Sequence, residues 1–255
     1  MSGTHQFRVF GMRRSGNHAV IDWLRRNIPG ETVFLNDCGA GDPFRTYALM
    51  ETPRGDRHGP GFRETRWFAQ FDEHRHARSH IVSYEDTVPG EVGTPAGWDA
   101  PFRTLVVRRS FANWLASFYE LVARRKAGTA WGVGDWREIR PYFAVYAALL
   151  EAPRDALVEF DRWLDDAAYR AALLERLGLA AVDNCTGRPS AYGGGSSFPD
   201  AGARAADLTA RWRRLSGEPG FEALLAEAAA DAALISALRR ACPAEAERLV
   251  GRAAA

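Results

Sequence analysis

Lysine is nearly absent from this chain of 255 residues: Lys126 is the only one, and arginine carries almost all of the positive charge. This usage, together with alanine-rich helical segments, is typical of a GC-rich genome, so an arginine can stand where a related chain uses lysine. The formal net charge is only +1. A chain with so little excess charge has no overall attraction to nucleic acid, and we expect no partner of that class.

Cysteines are few and long apolar runs are missing. Cys38, Cys185 and Cys242 are odd in number and form no Cys-x-x-Cys pair, which predicts reduced thiols rather than a disulfide framework. No apolar run approaches the roughly 20 residues that a membrane-spanning helix needs. The first ten residues, MSGTHQFRVF, have no apolar core of a signal peptide. We therefore expect a soluble protein of the cytoplasm without a membrane span.

The composition is that of a folded chain. Apolar residues make up 46%, which excludes wholesale disorder and supports a full hydrophobic core. The length suits one good-sized α/β domain and would make a second one cramped. We predict a single domain over residues 1–255, with a helical part from about 205 to 255 packed on it.

The most informative stretch runs from Phe7 to Leu24, FRVFGMRRSGNHAVIDWL. Its first residues, up to Phe10, are largely apolar and predict a short buried strand. A polar turn follows, and from Ala19 apolar residues recur at the spacing of a helix. A strand, a glycine-containing turn and a helix N-terminus together present backbone N–H groups and the positive end of a helix dipole to an anion.

The turn from Gly11 to Gly16 has the glycine spacing of a phosphate-binding P-loop, but Asn17-His18 replaces the Lys-Ser/Thr pair that should follow. The usual lysine and the usual magnesium-binding hydroxyl are therefore both missing. Positive charge lies earlier in the turn, on Arg13 and Arg14. We expect this turn to hold a phosphate-bearing donor that reacts without a metal.

Further strands alternate with helical segments along the chain. They are predicted at Thr32–Leu35, His80–Tyr84, Phe102–Val107 and Leu157–Phe160. This alternation predicts an α/β fold with a central, mostly parallel sheet flanked by helices, and ligands of such sheets bind beyond the carboxyl ends of the strands. Three polar turns follow strand ends, and we expect them to converge at one edge: Arg13–His18, Glu85-Asp86 and Arg108–Ser110.

The remaining segments are read from their periodicity and their turn residues. Helices are predicted at Trp163–Leu179, Ala205–Leu215 and Gly220–Arg240, the last two closing the chain. Irregular loops are predicted at Cys38–Ser79 and Asn184–Gly202. His74, His76 and His80 are candidates for a metal site, but two of them, His74 and His76, lie in a polar stretch at the end of the first loop, which favours a solvated surface.

A second motif begins at the end of the strand Phe102–Val107. Arg109, Asn113 and Ser117 are spaced so that the arginine and the serine, two helical turns apart, can reach one bound group together. This stretch resembles the 3′-phosphate-binding motif of sulfotransferases that use 3′-phosphoadenosine 5′-phosphosulfate (PAPS), R-(D/N)-P-x-(D/N)-x-x-x-S. The stretch Arg13–His18 in turn resembles that family's 5′-phosphosulfate loop, P-K-S-G-T-T, with Arg14 at the lysine position.

The resemblance covers about Phe7 to Leu215 and implies a P-loop NTPase-like sulfotransferase fold. It implies transfer of a sulfuryl group from PAPS to a hydroxyl or amine of a small-molecule or carbohydrate acceptor, leaving adenosine 3′,5′-bisphosphate (PAP). The 5′-phosphate would contact Arg13, Arg14, Ser15, Gly16, Asn17 and His18, with Arg14 stabilising the leaving phosphate. The 3′-phosphate would contact Arg109 and Ser117, and the glycine-rich loop that includes Gly195 and Ser196 would close over the nucleotide. Arg188 near that loop could also reach a phosphate.

The resemblance also implies a general base near the end of the strand His80–Tyr84. Glu85 occupies that position, and Asp86, His80 and His18 are competing candidates. A positioned base contributes roughly 10²–10⁴-fold to such a reaction. We expect Glu85, Arg14 and His18 to be the catalytic residues.

Two other functions remain open from the sequence. A metal-dependent P-loop kinase or NTPase would need the Lys-Ser/Thr pair that Asn17-His18 replaces. A non-catalytic nucleotide-binding module on the same fold would have the donor site without a usable base. A requirement for Mg²⁺ would identify the first, and an intact transfer rate after loss of every candidate base would contradict the assignment of the base.

Overall fold

A computed structural model describes residues 4–73, 75–93, 95, 98, 101–124, 135–186 and 209–253. Seven strands form one sheet in the order β4-β3-β2-β5-β1-β6-β7. Their bounds are β1 Gln6–Gly11, β2 Thr32–Asn36, β3 Leu49–Glu51, β4 Arg57–His58, β5 Ser79–Glu85, β6 Arg103–Arg108 and β7 Ala156–Glu159.

Five neighbouring strands of this sheet are parallel. β1 lies at the middle between β5 and β6, β2 pairs with β5, and β7 pairs with β6. The short strands β3 and β4 extend the sheet beyond β2 in antiparallel pairing. The predicted α/β class with a mostly parallel sheet is confirmed at this level.

The described helices connect these strands and close the chain. They are α1 Asn17–Asn27, α2 Pro43–Thr46, α3 Arg66–Glu73, α4 Pro89–Val92, α5 Phe111–Arg124, α6 Tyr142–Glu151, α7 Phe160–Asp165, α8 Ala167–Arg176, α9 Pro219–Ala230, α10 Ala232–Ala241 and α11 Pro243–Ala253. Short 3₁₀ segments lie at Pro60–Glu64, Arg75–Ala77, Trp136–Ile139 and Arg211–Leu215. Among the described residues, no helix is long and apolar enough to cross a membrane.

Apolar side chains cover both faces of the sheet because successive residues of a strand point to opposite sides. On β1, Phe7 and Val9 pack with α1, α7 and α8, whereas Phe10 packs on the other side with α5, α6 and the C-terminal helices. Trp23 and Trp163 meet edge to face in the first core, and Trp114 lies fully buried in the second. The sheet is therefore sandwiched between two layers of helices, as predicted.

Several predicted bounds are wrong, and capping side chains explain two of them. The helix predicted at Trp163–Leu179 is two helices, because the Asp166 carboxylate accepts the Tyr169 backbone N–H and starts α8 anew. Asp231 does the same between α9 and α10 by accepting the Leu234 N–H, which divides the helix predicted at Gly220–Arg240. A third closing helix, α11, follows.

Other differences concern the loops and the helix starts. The segment predicted as an irregular loop, Cys38–Ser79, contains β3, β4, α2 and α3. The described part of the helix predicted at Ala205–Leu215 is a 3₁₀ turn at Arg211–Leu215. Helix α1 begins at Asn17, two residues before the predicted Ala19, so Asn17 and His18 belong to its first turn.

Candidate functional site

Three strand ends meet at the centre of the sheet. Gly11 at the end of β1 pairs with Glu85 at the end of β5 and with Val107 near the end of β6. The turn that follows β1 is therefore flanked by Glu85 on one side and by the Arg108-Arg109 turn on the other. The predicted convergence of these turns at one edge of the sheet is confirmed.

In the turn after β1, the backbone at Gly16 packs closely against the ring of Phe160. Gly16 has φ +94°, and a Cβ on it would lie 2.2 Å from a ring carbon of Phe160, so no other residue fits without rearrangement. Gly16 is also the N-cap of α1, where no side chain caps the helix and no acidic residue occupies the first turn. The positive end of the helix dipole thus meets no carboxylate from its own first turn.

The two predicted phosphate-binding turns are joined directly. Nη1 of Arg109 donates a hydrogen bond to the carbonyl oxygen of Arg14 at 3.3 Å, and Nε1 of Trp114 donates one to the carbonyl of Arg13 at 3.0 Å. The Arg109 carbonyl in turn accepts the hydroxyl of the buried Tyr146 at 2.6 Å. The start of α5 therefore fixes the turn after β1, although about 95 residues separate them in sequence.

Arg109 is a buried cation that lies beside an acidic residue. Only 3% of the residue is exposed, and its Nε lies 3.8 Å from Oδ1 of Asp161 at the start of α7. Burial lowers the pKa of Arg109 to about 10, with a further lowering by Arg14 that Asp161 opposes. The guanidinium stays charged at neutral pH, but burial removes water from the charge and so raises its free energy.

The arginines next to Arg14 and Arg109 each pair with carboxylates. Arg108 pairs with Glu245 of α11 and with Glu159, which attaches the C-terminal helix to the sheet edge. The Arg13 side chain pairs with Asp86, which also accepts the Arg13 backbone N–H at 2.8 Å. Arg13 was predicted to contact the donor, and its guanidinium is engaged by this carboxylate.

Arg211 is a further cation that the sequence analysis missed. It lies in the 3₁₀ turn Arg211–Leu215 and is only 6% exposed. Burial lowers the pKa of Arg211 to about 9, and the next largest causes are the charges of Arg109 and Arg14. Three guanidinium groups from distant segments are thus close enough to repel one another. The basic run Arg211-Trp212-Arg213-Arg214 was the available signal.

Two buried hydroxyls accompany these cations. Ser15 in the turn and Ser117 on α5 are each only 1% exposed. In the part of the chain that the structure describes, neither hydroxyl oxygen has a hydrogen-bond partner. Buried polar atoms are almost always hydrogen-bonded, so these hydroxyls lack a partner that an added group could supply. Phosphate oxygens, which accept hydrogen bonds, fit such donors.

The opposite side of the turn is acidic. Glu85 has Nδ2 of Asn17 at 3.5 Å and Nε2 of His18 at 3.9 Å from its Oε1, and a quarter of its side chain is exposed. Burial, followed by the negative charges of Asp86 and Asp37, raises the pKa of Glu85 to about 7. A carboxylate with that pKa can take and release a proton near neutral pH.

Backbone strain is concentrated at the same edge. In the described residues, the non-glycine residues with positive φ are Arg14 at 70°, Asp37 at 49° and Asp86 at 53°. Each follows the carboxyl end of a strand, namely β1, β2 and β5. Strained residues persist where the surroundings hold them, and they cluster at functional sites.

The structure separates the four candidate bases. His80 is fully buried near the start of β5, five residues from Glu85, which is about 16 Å along a strand; it lies too far from the turn. Asp86 pairs with Arg13. His18 lies beside Glu85, and burial lowers the pKa of His18 to about 4, so its ring is neutral at pH 7. Among the four candidates, Glu85 is the carboxyl group whose pKa is raised to about 7.

Some predicted site residues fall outside the described residues. These are Gly195 and Ser196 of the glycine-rich loop, together with Arg188. His74 of the histidine-bearing segment is outside them as well. Within the described ranges, no group of three or more His, Cys, Asp or Glu side chains is arranged to hold a metal ion.

Comparisons with protein-family models, with curated proteins and with solved structures each found no match to this chain. The functional inference therefore stands on the residues at the strand ends and on their geometry.

Proposed function

We propose that this chain is a PAPS-dependent sulfotransferase that moves a sulfuryl group to a hydroxyl or amine of a small-molecule or carbohydrate acceptor. The observation that carries the proposal is the hydrogen bond from Arg109 to the Arg14 carbonyl. This contact brings the two turns that resemble phosphate-binding motifs to a single place on the sheet edge. The finer assignment, a P-loop NTPase-like sulfotransferase fold, is part of the same proposal.

Charge complementarity supports a donor with two separate phosphate groups. Each phosphate monoester of the product PAP carries roughly −1.5 to −2 at pH 7. Arg14, Arg109 and Arg211 approach one another closely enough to lower the pKa of Arg211, and within this group Asp161 is the acidic neighbour of Arg109. A bisphosphorylated ligand would relieve that repulsion, whereas a ligand with one phosphate end would relieve only part of it.

The 5′ end of the donor would lie on the turn after β1. Arg14 and the first turn of α1 carry positive charge there, and the Ser15 hydroxyl supplies a buried donor. Negative charge develops on the leaving 5′-phosphate as the sulfuryl group departs, and fixed positive charge stabilises it. Arg14 would make its strongest interaction in that transition state.

The 3′ end would lie against α5. Ser117 lies on α5 and Arg109 just before the start of that helix, and Arg211 belongs to the separate 3₁₀ turn Arg211–Leu215. A guanidinium can bind two phosphate oxygens at once, which a lysine ammonium cannot do in the same geometry. These residues would distinguish PAPS from nucleotides without a 3′-phosphate.

Glu85 would act as the general base. It takes the proton of the acceptor hydroxyl or amine while the acceptor atom forms a bond to sulfur. The bond between sulfur and the bridging oxygen of the 5′-phosphate breaks, and its electron pair stays on the phosphate near Arg14. Asn17 and His18, which contact the Glu85 carboxylate, would orient it.

The loop also favours a reaction without magnesium. Asn17 and His18 stand where a Mg²⁺-dependent P-loop enzyme has its lysine and its magnesium-binding hydroxyl. Donor charge would be neutralised by arginines instead of by a metal ion. Sulfuryl transfer needs less charge neutralisation than phosphoryl transfer because the sulfuryl group carries one negative charge fewer.

Labelled donor tests the proposal. The protein is incubated with ³⁵S-labelled PAPS and excess EDTA, with a panel of phenols, sugars and amines as acceptors. We expect label in an acceptor and formation of PAP. Transfer of the γ-phosphate of ATP with an absolute requirement for Mg²⁺ and no transfer from PAPS would identify a kinase and contradict the proposal.

A further inference from the structure

Asn113 joins three segments of the chain at the donor side. Its Nδ2 lies 2.5 Å from the Thr209 carbonyl oxygen, 2.8 Å from Oγ of Ser110 and 3.4 Å from Oδ2 of Asp161. Its Oδ1 accepts the Trp212 backbone N–H at 3.5 Å. The residue is only 2% exposed. The nitrogen and the oxygen of its amide therefore each contact the segment that carries Arg211.

The segment that Asn113 contacts carries a cation that neighbouring cations repel. Arg211 lies between Thr209 and Trp212 in sequence, and the charges of Arg109 and Arg14 act against it. Repulsion pushes this segment away from the sheet edge, and the contacts of Asn113 hold it there.

We propose that Asn113 is a positioning residue that holds residues 209–212 against α5 and so presents Arg211 to the bound anion. Its role is to keep the Arg211-bearing segment docked. The inference rests on the proposed function only for the identity of the anion.

The geometry requires asparagine in particular. An aspartate at position 113 would have the same size, but its carboxylate would replace the donor that faces the Thr209 carbonyl and would stand beside Asp161. Repulsion from Asp161 and loss of the hydrogen bond to the Thr209 carbonyl would then both favour release of the segment. The motif that this stretch resembles accepts either Asp or Asn at this position, whereas the contacts of this chain favour Asn alone.

A matched control exists at the far end of α1. Asn27 is also 2% exposed; its Nδ2 donates to the carbonyls of Trp23 and Asp183, and its Oδ1 accepts the backbone N–H groups of Val182 and Asp183. Asn27→Asp therefore makes the same chemical change at another buried amide that holds a loop. It lies ten residues from the turn after β1, about 15 Å along the helix.

Hydrogen–deuterium exchange measured by mass spectrometry on the full chain tests the inference. We expect Asn113→Asp to speed exchange of peptides covering 209–215 by at least about tenfold, since it removes a buried hydrogen bond and adds a repulsion. Exchange in β1, β5 and β6 should stay near wild type. Asn27→Asp should speed exchange near Val182 and leave 209–215 unchanged. If Asn113→Asp does not fold, Asn113→Ser serves in its place.

Titration with PAP separates the inference from the proposed function. We expect PAP to slow exchange of 209–215 in the wild type and to bind Asn113→Asp about tenfold more weakly. If PAP does not bind the wild type but Asn113→Asp still loosens 209–215, the positioning role stands and the proposed donor is wrong. Unchanged exchange of 209–215 in Asn113→Asp, or equal loosening there in Asn27→Asp, would overturn the inference.

Discussion

The two sides of the turn after β1 differ in charge and in how firmly that charge is fixed. On the β6 side, burial lowers the pKa of Arg109 to about 10. On the β5 side, burial and two neighbouring carboxylates raise the pKa of Glu85 to about 7. Burial pushes both groups toward their neutral forms, but Glu85 alone reaches the range in which a proton is exchanged at neutral pH.

The difference in pKa between Arg109 and Glu85 suits the two sides to different chemical roles. A charge that persists across the physiological range suits binding and stabilisation of phosphate groups. A group that changes protonation near pH 7 suits proton transfer, because the base must be free of its proton and still attract one. Under the proposed function, the cationic side of this sheet edge would hold the anionic donor and the acidic side would deprotonate the acceptor.

Replacing Glu85 by Gln should have the largest effect on the acidic side. The change keeps size and hydrogen bonding but removes the base, so we expect the transfer rate to fall by about 10²–10⁴-fold. PAP affinity, measured by calorimetry, should stay within a factor of about two because the cationic side is intact. Glu73→Gln at the exposed end of α3 is the control. An unchanged rate in Glu85→Gln would remove Glu85 from the mechanism.

Replacing Arg14 by Ala should have the next largest effect, on the cationic side. We expect the rate at saturating donor to fall by roughly 10²–10³-fold, because the charge that meets the leaving phosphate is lost. Arg26→Ala, at the other end of α1, should leave the rate unchanged. Steady-state kinetics with varied PAPS separates this loss in kcat from a change in KM. A loss confined to KM would show that Arg14 only binds the donor.

A smaller effect tests how Asp37 tunes Glu85. The negative charge of Asp37 helps to raise the pKa of Glu85, so Asp37→Asn should lower that pKa. Glu85 would then lose its proton at lower pH. The acidic limb of the pH–rate profile, which we expect to rise through about pH 7 in the wild type because the pKa of Glu85 is about 7, should shift to lower pH. Asp22→Asn should leave the limb in place. A shift to higher pH would contradict the proposed coupling.

The strand ends of this site were predictable from sequence, and the reason is local. β1, β5 and β6 are short apolar runs that end in polar residues, and parallel strands bring such ends together. The tertiary contacts of Arg109 were not predictable from local patterns. Asp161 and Arg211 come close to Arg109 from segments that are distant in sequence. Arg211 belongs to a basic run that follows a long stretch without apolar periodicity, so its charge is visible in the sequence but its place at the sheet edge is not.

The secondary-structure elements that the sequence did not predict were missed for a different physical reason. β3 and β4 contain three and two residues, too few for alternation to be recognised. They form by pairing in turn on the edge of the sheet, β3 with β2 and β4 with β3. The breaks at Asp166 and Asp231 could have been read, since an aspartate that precedes a helical run is a preferred N-cap. The apolar periodicity on both sides of each aspartate hid the break.

Calorimetric titration of wild type and Arg109→Gln with PAP and with ADP tests the central claim most directly, because the two ligands differ at the 3′-phosphate. We predict that the wild type prefers PAP and that Arg109→Gln binds PAP about 10- to 100-fold more weakly, close to its affinity for ADP. Circular dichroism checks that the variant is folded. Equal affinity of the wild type for PAP and ADP, or an undiminished preference for PAP in folded Arg109→Gln, would contradict the account.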